Sequence, residues 1–145
     1  MRVSTRGRYA LRMLLDLAER KDSGFVSLKE IAQRQNISKQ YLEQIVSLLH
    51  ASNMLRVNRG KQGGYMLSKE PSECTVREIL RATEGSLSPV ACLDDEVNRC
   101  DEASSCKTLP LWAGLKKAVA DYLDSVTLQD ILDQHRNQGA DSYVI

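Results

Sequence analysis

No run of about 18 consecutive apolar residues occurs in this sequence, so no single helix is expected to span a bilayer. The opening MRVSTRGRYALRML is broken by Arg2, Arg6, Arg8 and Arg12. It has neither an uninterrupted apolar stretch nor a small-residue cleavage site, so a cytoplasmic protein is expected rather than a secreted one. Histidine is scarce: His50 and His135 are the two present, far apart, and no nucleophile–base pairing can be built around them. The glycine-rich RGKQGG lies between two strand-like segments and does not open a helix, so neither a phosphate-binding loop nor a dinucleotide fingerprint is present. An enzyme is not expected, and no catalytic residue is assigned. Cysteine is also sparse, with four in 145 residues. In a reducing compartment, clustered cysteines read as metal ligands or redox thiols before they read as structural disulfides.

What is present is an uneven distribution of charge. The formal net charge of +1 hides a basic half, residues 1–70 with 13 Lys/Arg against 6 Asp/Glu, and an acidic half, residues 71–145 with 7 against 13. A basic module points to a polyanionic partner, although solvated helix faces alone can also account for charge of this kind. With 42% hydrophobic residues the chain is long enough for one domain with its own core and a dimerising appendage.

The basic half punctuates clearly. TRGRYALRMLLDLAER sets Tyr9, Leu11, Leu14, Leu15 and Ala18 at three- and four-residue spacings, an amphipathic helix ending before Asp22-Ser23-Gly24. SLKEIAQRQ opens with a capping box, Ser27 with Glu30. After NIS, Ser38 can cap a further helix whose buried stripe is Leu42, Ile45, Val46 and Leu49. Two short helices joined by a tight turn make a helix-turn-helix. The outward face of the second carries Lys39, Gln40, Glu43, Gln44 and Ser47. Gln can bond an adenine edge bidentately, Glu can accept from cytosine N4, and Lys or the helix N-terminus can meet phosphate. LRVNRGKQGGYML then reads as strand Leu55 to Val57, a turn carrying Arg59, Gly60 and Lys61, and strand Tyr65 to Leu67. An arginine at such a tip can enter a minor groove, which makes the unit a winged helix.

STRGRYALRMLLDLA, ISKQYLEQIVSLL and RGKQGGYML, in this order and spacing, resemble the IscR/NsrR/CymR family of dimeric bacterial transcriptional regulators, and the similarity spans nearly the whole chain. The resemblance implies a mainly α fold: a winged helix-turn-helix with a small β-hairpin wing and a long C-terminal dimerisation helix passing beneath the partner subunit. It implies double-stranded DNA with a near-palindromic operator as partner. Ser38, Lys39, Gln40, Tyr41, Glu43 and Gln44 would contact it from the recognition helix, and Arg59, Gly60 and Lys61 from the wing. The expected organisation is 1–84 winged helix, 85–107 cysteine loop, and 108–145 dimerisation helix, short helix and tail.

The acidic half supports that organisation. Thr75 and Glu78 form another capping box before VREILRAT, which Gly85 stops. Pro110 suits the first turn of a helix with Leu111, Leu115, Ala118, Val119, Tyr122 and Val126 as its apolar stripe, which a second copy of the chain can bury. Thr127 and Asp130 begin one more short helix, and residues 137–145 read as frayed.

Cys92, Cys100 and Cys106 lie in CLDDEVNRCDEASSC, separated by seven and five residues. Three thiolates on one loop can wrap a soft metal or an iron-sulfur cluster, and the spacing is unlike the paired two-residue gaps of structural zinc sites. Bare redox thiols, zinc or no role remain the other readings. The resemblance implies a cluster, since IscR and NsrR relatives hold one on three cysteines of this loop. Cys92, Cys100 and Cys106 match them and Cys74 does not. A 2Fe-2S cluster is expected, with its fourth ligand open. IscR-like members supply a histidine where Leu109 stands here, and NsrR-like members can use an aspartate where Arg8 stands. Asp94, Asp95, Glu96, Asp101, Glu102, a cross-subunit Glu43 or an exogenous ligand all suit the chemistry. Without a cluster, the neighbouring acids lead us to expect ordinary, protonated thiols. The tail DSYVI resembles the isoleucine-ending tails that enter the cysteine synthase active site. Because CymR relatives have that enzyme as partner, Tyr143, Val144 and Ile145 are candidate cysteine synthase contacts.

Overall fold

The computed structural model describes residues 1–141. Among them are helices α1 (Thr5–Glu19), α2 (Leu28–Gln35), α3 (Lys39–Ala51), α4 (Val76–Glu84), α5 (Leu109–Asp124) and α6 (Leu128–Asp141), with an antiparallel hairpin of β1 (Leu55–Asn58) and β2 (Gly64–Leu67). The helix starts follow from local chemistry. Ser4, Ser27, Ser38 and Thr75 each accept a backbone N–H from three residues ahead, at Gly7, Glu30, Tyr41 and Glu78. A cap of this kind stabilises a helix by about 1 kcal/mol. Thr127 and Asp130 form the reciprocal box: the Asp130 N–H donates to the Thr127 hydroxyl at 3.1 Å and the Thr127 N–H to the Asp130 carboxylate at 2.9 Å.

The turn of the helix-turn-helix closes on Asn36, in the left-handed region at φ 54°. The next residue, Ile37, drops into the core. α1 is the central strut, burying Ala10, Met13, Leu14 and Leu17 against Ile31 of α2, Leu42, Ile45 and Leu49 of α3, and Ile79 of α4. The β-hairpin is tied to this body by a third extended residue, because Val26 and Tyr65 exchange both backbone hydrogen bonds at 2.9 and 2.8 Å. Val26 directly precedes the cap of α2, so the wing's angle is set by the helix-turn-helix itself.

Two expectations change. α6 is no short frayed helix: it runs for 14 residues to Asp141, and Leu128 and Leu132 enter the winged-helix core, with the Leu128 N–H bonded to the Cys74 carbonyl at 3.0 Å. Burial of that first turn holds a helix whose later sequence is polar. Val126 does not continue the α5 stripe, since it lies beyond Asp124 and its carbonyl accepts from Val76 N–H at 2.9 Å. Within the cysteine loop, Ala91–Leu93 forms a 3-10 turn. Tyr143, Val144 and Ile145 lie outside the described residues. No described helix is long and apolar enough to cross a membrane.

Candidate nucleic-acid interface and cysteine loop

Lys39, Gln40, Glu43, Gln44 and Ser47 are all exposed on α3, as are Arg59, Gly60 and Lys61 on the wing. A cleft of 590 Å³ brings part of this set together: Lys39, Glu43 and Ser47 form one wall, Arg59 and Gly60 the other. Gln40, Gln44 and Lys61 are exposed outside it. Tyr41 is placed differently. Its ring is half-buried and packs edge-on against Tyr9 at 5.6 Å, and the Arg12 guanidinium lies 5.1 Å from the centre of the Tyr9 ring. The ring therefore fixes the start of α3 against α1. Sequence reasoning missed Lys29 and His50, exposed on the same cleft. The signal for Lys29 was available in its place two residues after the Ser27 cap, in the first turn of α2.

Three glycines shape the wing. Gly60 has φ 127°, open only to glycine at low cost, and its carbonyl accepts from Gly63 N–H at 3.0 Å. A β-carbon at Gly63 would fall 2.6 Å from the Asn58 carbonyl oxygen, and one at Gly64 2.4 Å from that of Val26.

Behind the readout helix sits a buried latch that no local pattern signalled. Asp16 of α1 is 2% exposed. Arg34 of α2 donates to both its carboxylate oxygens, at 3.0 and 2.7 Å, Gln35 donates at 2.9 Å, and Arg20 approaches to 3.5 Å. Burial pushes the Asp16 pKa up, but the bonds from Arg34 and Gln35 and the charges of Arg34 and Arg20 outweigh it and leave the carboxyl below its ordinary 3.8. Arg12 also reaches across to the side chain and backbone carbonyl of Gln35. The first helix of the helix-turn-helix is thereby locked to α1 at its C-terminal end.

In the cysteine loop Cys92 and Cys106 are half-buried and Cys100 is exposed. Cys74 is buried in the core, where desolvation pushes its thiol pKa up against the partial opposition of Lys69. All four are free thiols. Cys106 departs from the expectation of an ordinary thiol. The Thr108 hydroxyl, 3.5 Å from its sulfur, and the backbone amides of Thr108 and Leu109 draw its pKa below the usual value. The acids beside it do less, because amides aimed at the sulfur act at closer range. Lys116 of α5 donates to the Leu93 carbonyl at 2.6 Å, which pins the loop to α5, and Ser86 donates to Asp94 at 2.7 Å, which ties the start of the loop to its middle.

The donor set suits a soft metal group: three free thiols carried on one loop. One shielded atom of that loop, Asn98 Nδ2, has no hydrogen-bond partner. The thiols are not drawn together: among the described residues no three Cys, His, Asp or Glu side chains gather closely enough to hold a metal ion. Asp94 is engaged by Ser86, and Arg8 bonds Thr5 within its own helix at 3.0 Å.

Residues 3–134 match the family model Rrf2, described as an iron-dependent transcriptional regulator. The chain is 42% identical over 131 residues to the HTH-type transcriptional regulator CymR of Bacillus subtilis, covering 90% of this chain and 89% of the relative. The solved structure of CymR, described as the global cysteine regulator of B. subtilis, superposes with a TM-score of 0.75 at 38% identity, covering 92% of this chain and 98% of that one. The structure of T. potens IscR superposes with a TM-score of 0.73, also at 38% identity, over 93% of this chain and 88% of that one.

Proposed function

The chain belongs to the Rrf2 family of transcriptional regulators, and from that premise we propose that it is a homodimeric repressor whose operator affinity is set at the cysteine loop, with a 2Fe-2S cluster as the sensing group. The observation that carries the DNA-binding part is the shared cleft, where the polar face of α3 and the wing arginine Arg59 converge within a basic half. A two-fold dimer sets two α3 helices in successive major grooves and two wings in the flanking minor grooves, which suits a near-palindromic operator. Lys39 and the N-terminus of α3 meet phosphate, and Gln40, Glu43 and Gln44 meet base edges.

Cys92, Cys100 and Cys106 would hold the cluster, which when bound supplies one-electron redox chemistry and lability toward oxygen or nitric oxide. To do so the three cysteines would have to come together from their present, ungathered positions. The loop's bond to α5, Lys116 to the Leu93 carbonyl, would carry a change in the loop to that helix. A switch of this sort needs a coupling of roughly 1–3 kcal/mol between the two states.

The test is operator binding by duplexes selected from a random pool, followed by anisotropy across a salt series. Arg59→Ala is expected to weaken binding with or without cluster and to reduce the salt slope by about 1. Parental binding by Arg59→Ala refutes the wing assignment, and binding indifferent to sequence refutes the regulator reading. Iron and sulfide in anaerobically purified protein, lost in Cys100→Ala, support the cluster.

A second reading, a cluster-free regulator of cysteine metabolism controlled by thiol state or by cysteine synthase, is favoured by the ungathered ligands and the lowered Cys106 pKa. The likeness to CymR supports it too. An iron-free protein that binds its operator specifically, and binds cysteine synthase only with Ile145 present, selects this reading.

A further inference from the structure

Between α4, the start of the cysteine loop and α5 lies a cavity of 510 Å³. Its charged lining is balanced, with Arg77, Arg81 and Lys116 against Asp94, Asp95 and Glu96. Half of these groups are engaged elsewhere: Arg77 pairs with Asp124 at 2.6 Å, Lys116 donates to the Leu93 carbonyl, and Asp94 accepts from Ser86. The other half are not. Arg81, Asp95 and Glu96 are exposed, and among the described residues their side chains form no hydrogen bond or ion pair, either with one another or with a neighbour. Glu78, one turn before Arg81 on α4, is taken by Lys69 at 2.8 Å and does not compete for the guanidinium. A single cavity is thus lined by a spare cation and two spare carboxylates that leave each other unneutralised.

That pattern narrows the occupant. Three cations and three carboxylates give the lining no net charge, which disfavours a multiply charged anion such as phosphate. The acids do not gather closely enough to hold a metal ion. Leu87 and Ala120, both half-buried, add an apolar patch, and the volume falls within the range of small-molecule pockets, roughly 300–1,000 Å³. We propose that this cavity binds a small zwitterion, an α-amino acid, with Arg81 holding its carboxylate and Asp95 and Glu96 its ammonium group. A guanidinium meets a carboxylate through two parallel N–H donors, and an ammonium has three protons to give to carboxylate oxygens. The amino acid's side chain lies along Leu87 and Ala120. An occupant held in this way bridges the cysteine loop to α4, whose Ile79 belongs to the winged-helix core.

The experiment titrates the full-length protein calorimetrically, at low ionic strength, with each proteinogenic L-α-amino acid, and then compares the tightest binder with its N-acetyl derivative and its α-amide. Removing either charge is expected to weaken binding by about tenfold or more, the loss of one charge-assisted contact. Arg81→Gln should weaken the amino acid to a like extent and abolish the distinction between it and its amide. The double variant Asp95→Asn with Glu96→Gln should do the same for the N-acetyl derivative. The proposal is overturned if no amino acid binds at millimolar concentration, if either derivative binds the parent protein as tightly as the free amino acid, or if the variants bind like the parent. Should Arg81→Gln fail to fold, the double variant decides by the same criteria. The readout is amino-acid binding itself, so its outcome is separate from whether the protein holds iron or binds an operator.

Discussion

Asp16 holds its carboxylate between two helices, out of water, with a bidentate arginine and a glutamine amide filling its lone pairs. Asp16→Ala removes the hydrogen bonds from Arg34 and Gln35, but the Arg34 side chain is 30% exposed and water can solvate it, so the variant is expected to cost about 1.5–3 kcal/mol in urea unfolding. The pH dependence follows from the direction of the shift. Because the folded carboxyl titrates below 3.8, its stabilisation is complete above that value and is lost as pH falls through the folded pKa. Acid unfolding of the parent should therefore steepen below pH 3.8, and Asp16→Ala should lose less stability across the same window. Nothing in the sequence near Asp16 announces this. The residue sits on an amphipathic helix where an acid reads as surface, and its partners lie 18 and 19 positions away.

Elements fared differently according to how local their causes are. α2, α3, α4 and the start of α6 were legible because a capping Ser or Thr and the residue three ahead of it lie within one window. The hairpin was legible from its glycines. Its attachment was not, because Val26 reaches Tyr65 across 39 positions of intervening chain. Gly64→Ala tests that attachment: the added carbon meets the Val26 carbonyl, and backbone must move to admit it. The variant should fold with the helical core intact by far-UV circular dichroism. It should lose amide-exchange protection at Val26 and Tyr65 and bind operator DNA more weakly, since Arg59 is then carried on a displaced wing. Parental exchange protection would show that the contact is relieved without moving the wing.

At the scale of the whole molecule, α5 stands apart. None of its residues is buried, and Leu111, Leu115 and Tyr122 are 62%, 42% and 68% exposed in the single chain. An exposed apolar face of this kind is stable in water when another surface covers it, and the proposed dimer places a second α5 there. Leu115→Glu is expected to shift the protein from dimer to monomer in sedimentation equilibrium and to reduce operator affinity by more than tenfold through lost bivalency. Core burial at Leu128 and Leu132 should leave the monomer folded. The sequence by itself determined the helices, their caps, the hairpin and the clustering of three cysteines, because each depends on residues a few positions apart. Tertiary structure alone decided that Asp16 is a latch, that Arg59 and Glu43 line one cleft, that α6 returns to the core, and that Asn98 is left with an unpaired donor. Those outcomes depend on where whole elements come to rest, on the burial that follows and on the exact aim of individual polar atoms, which no short window of residues encodes.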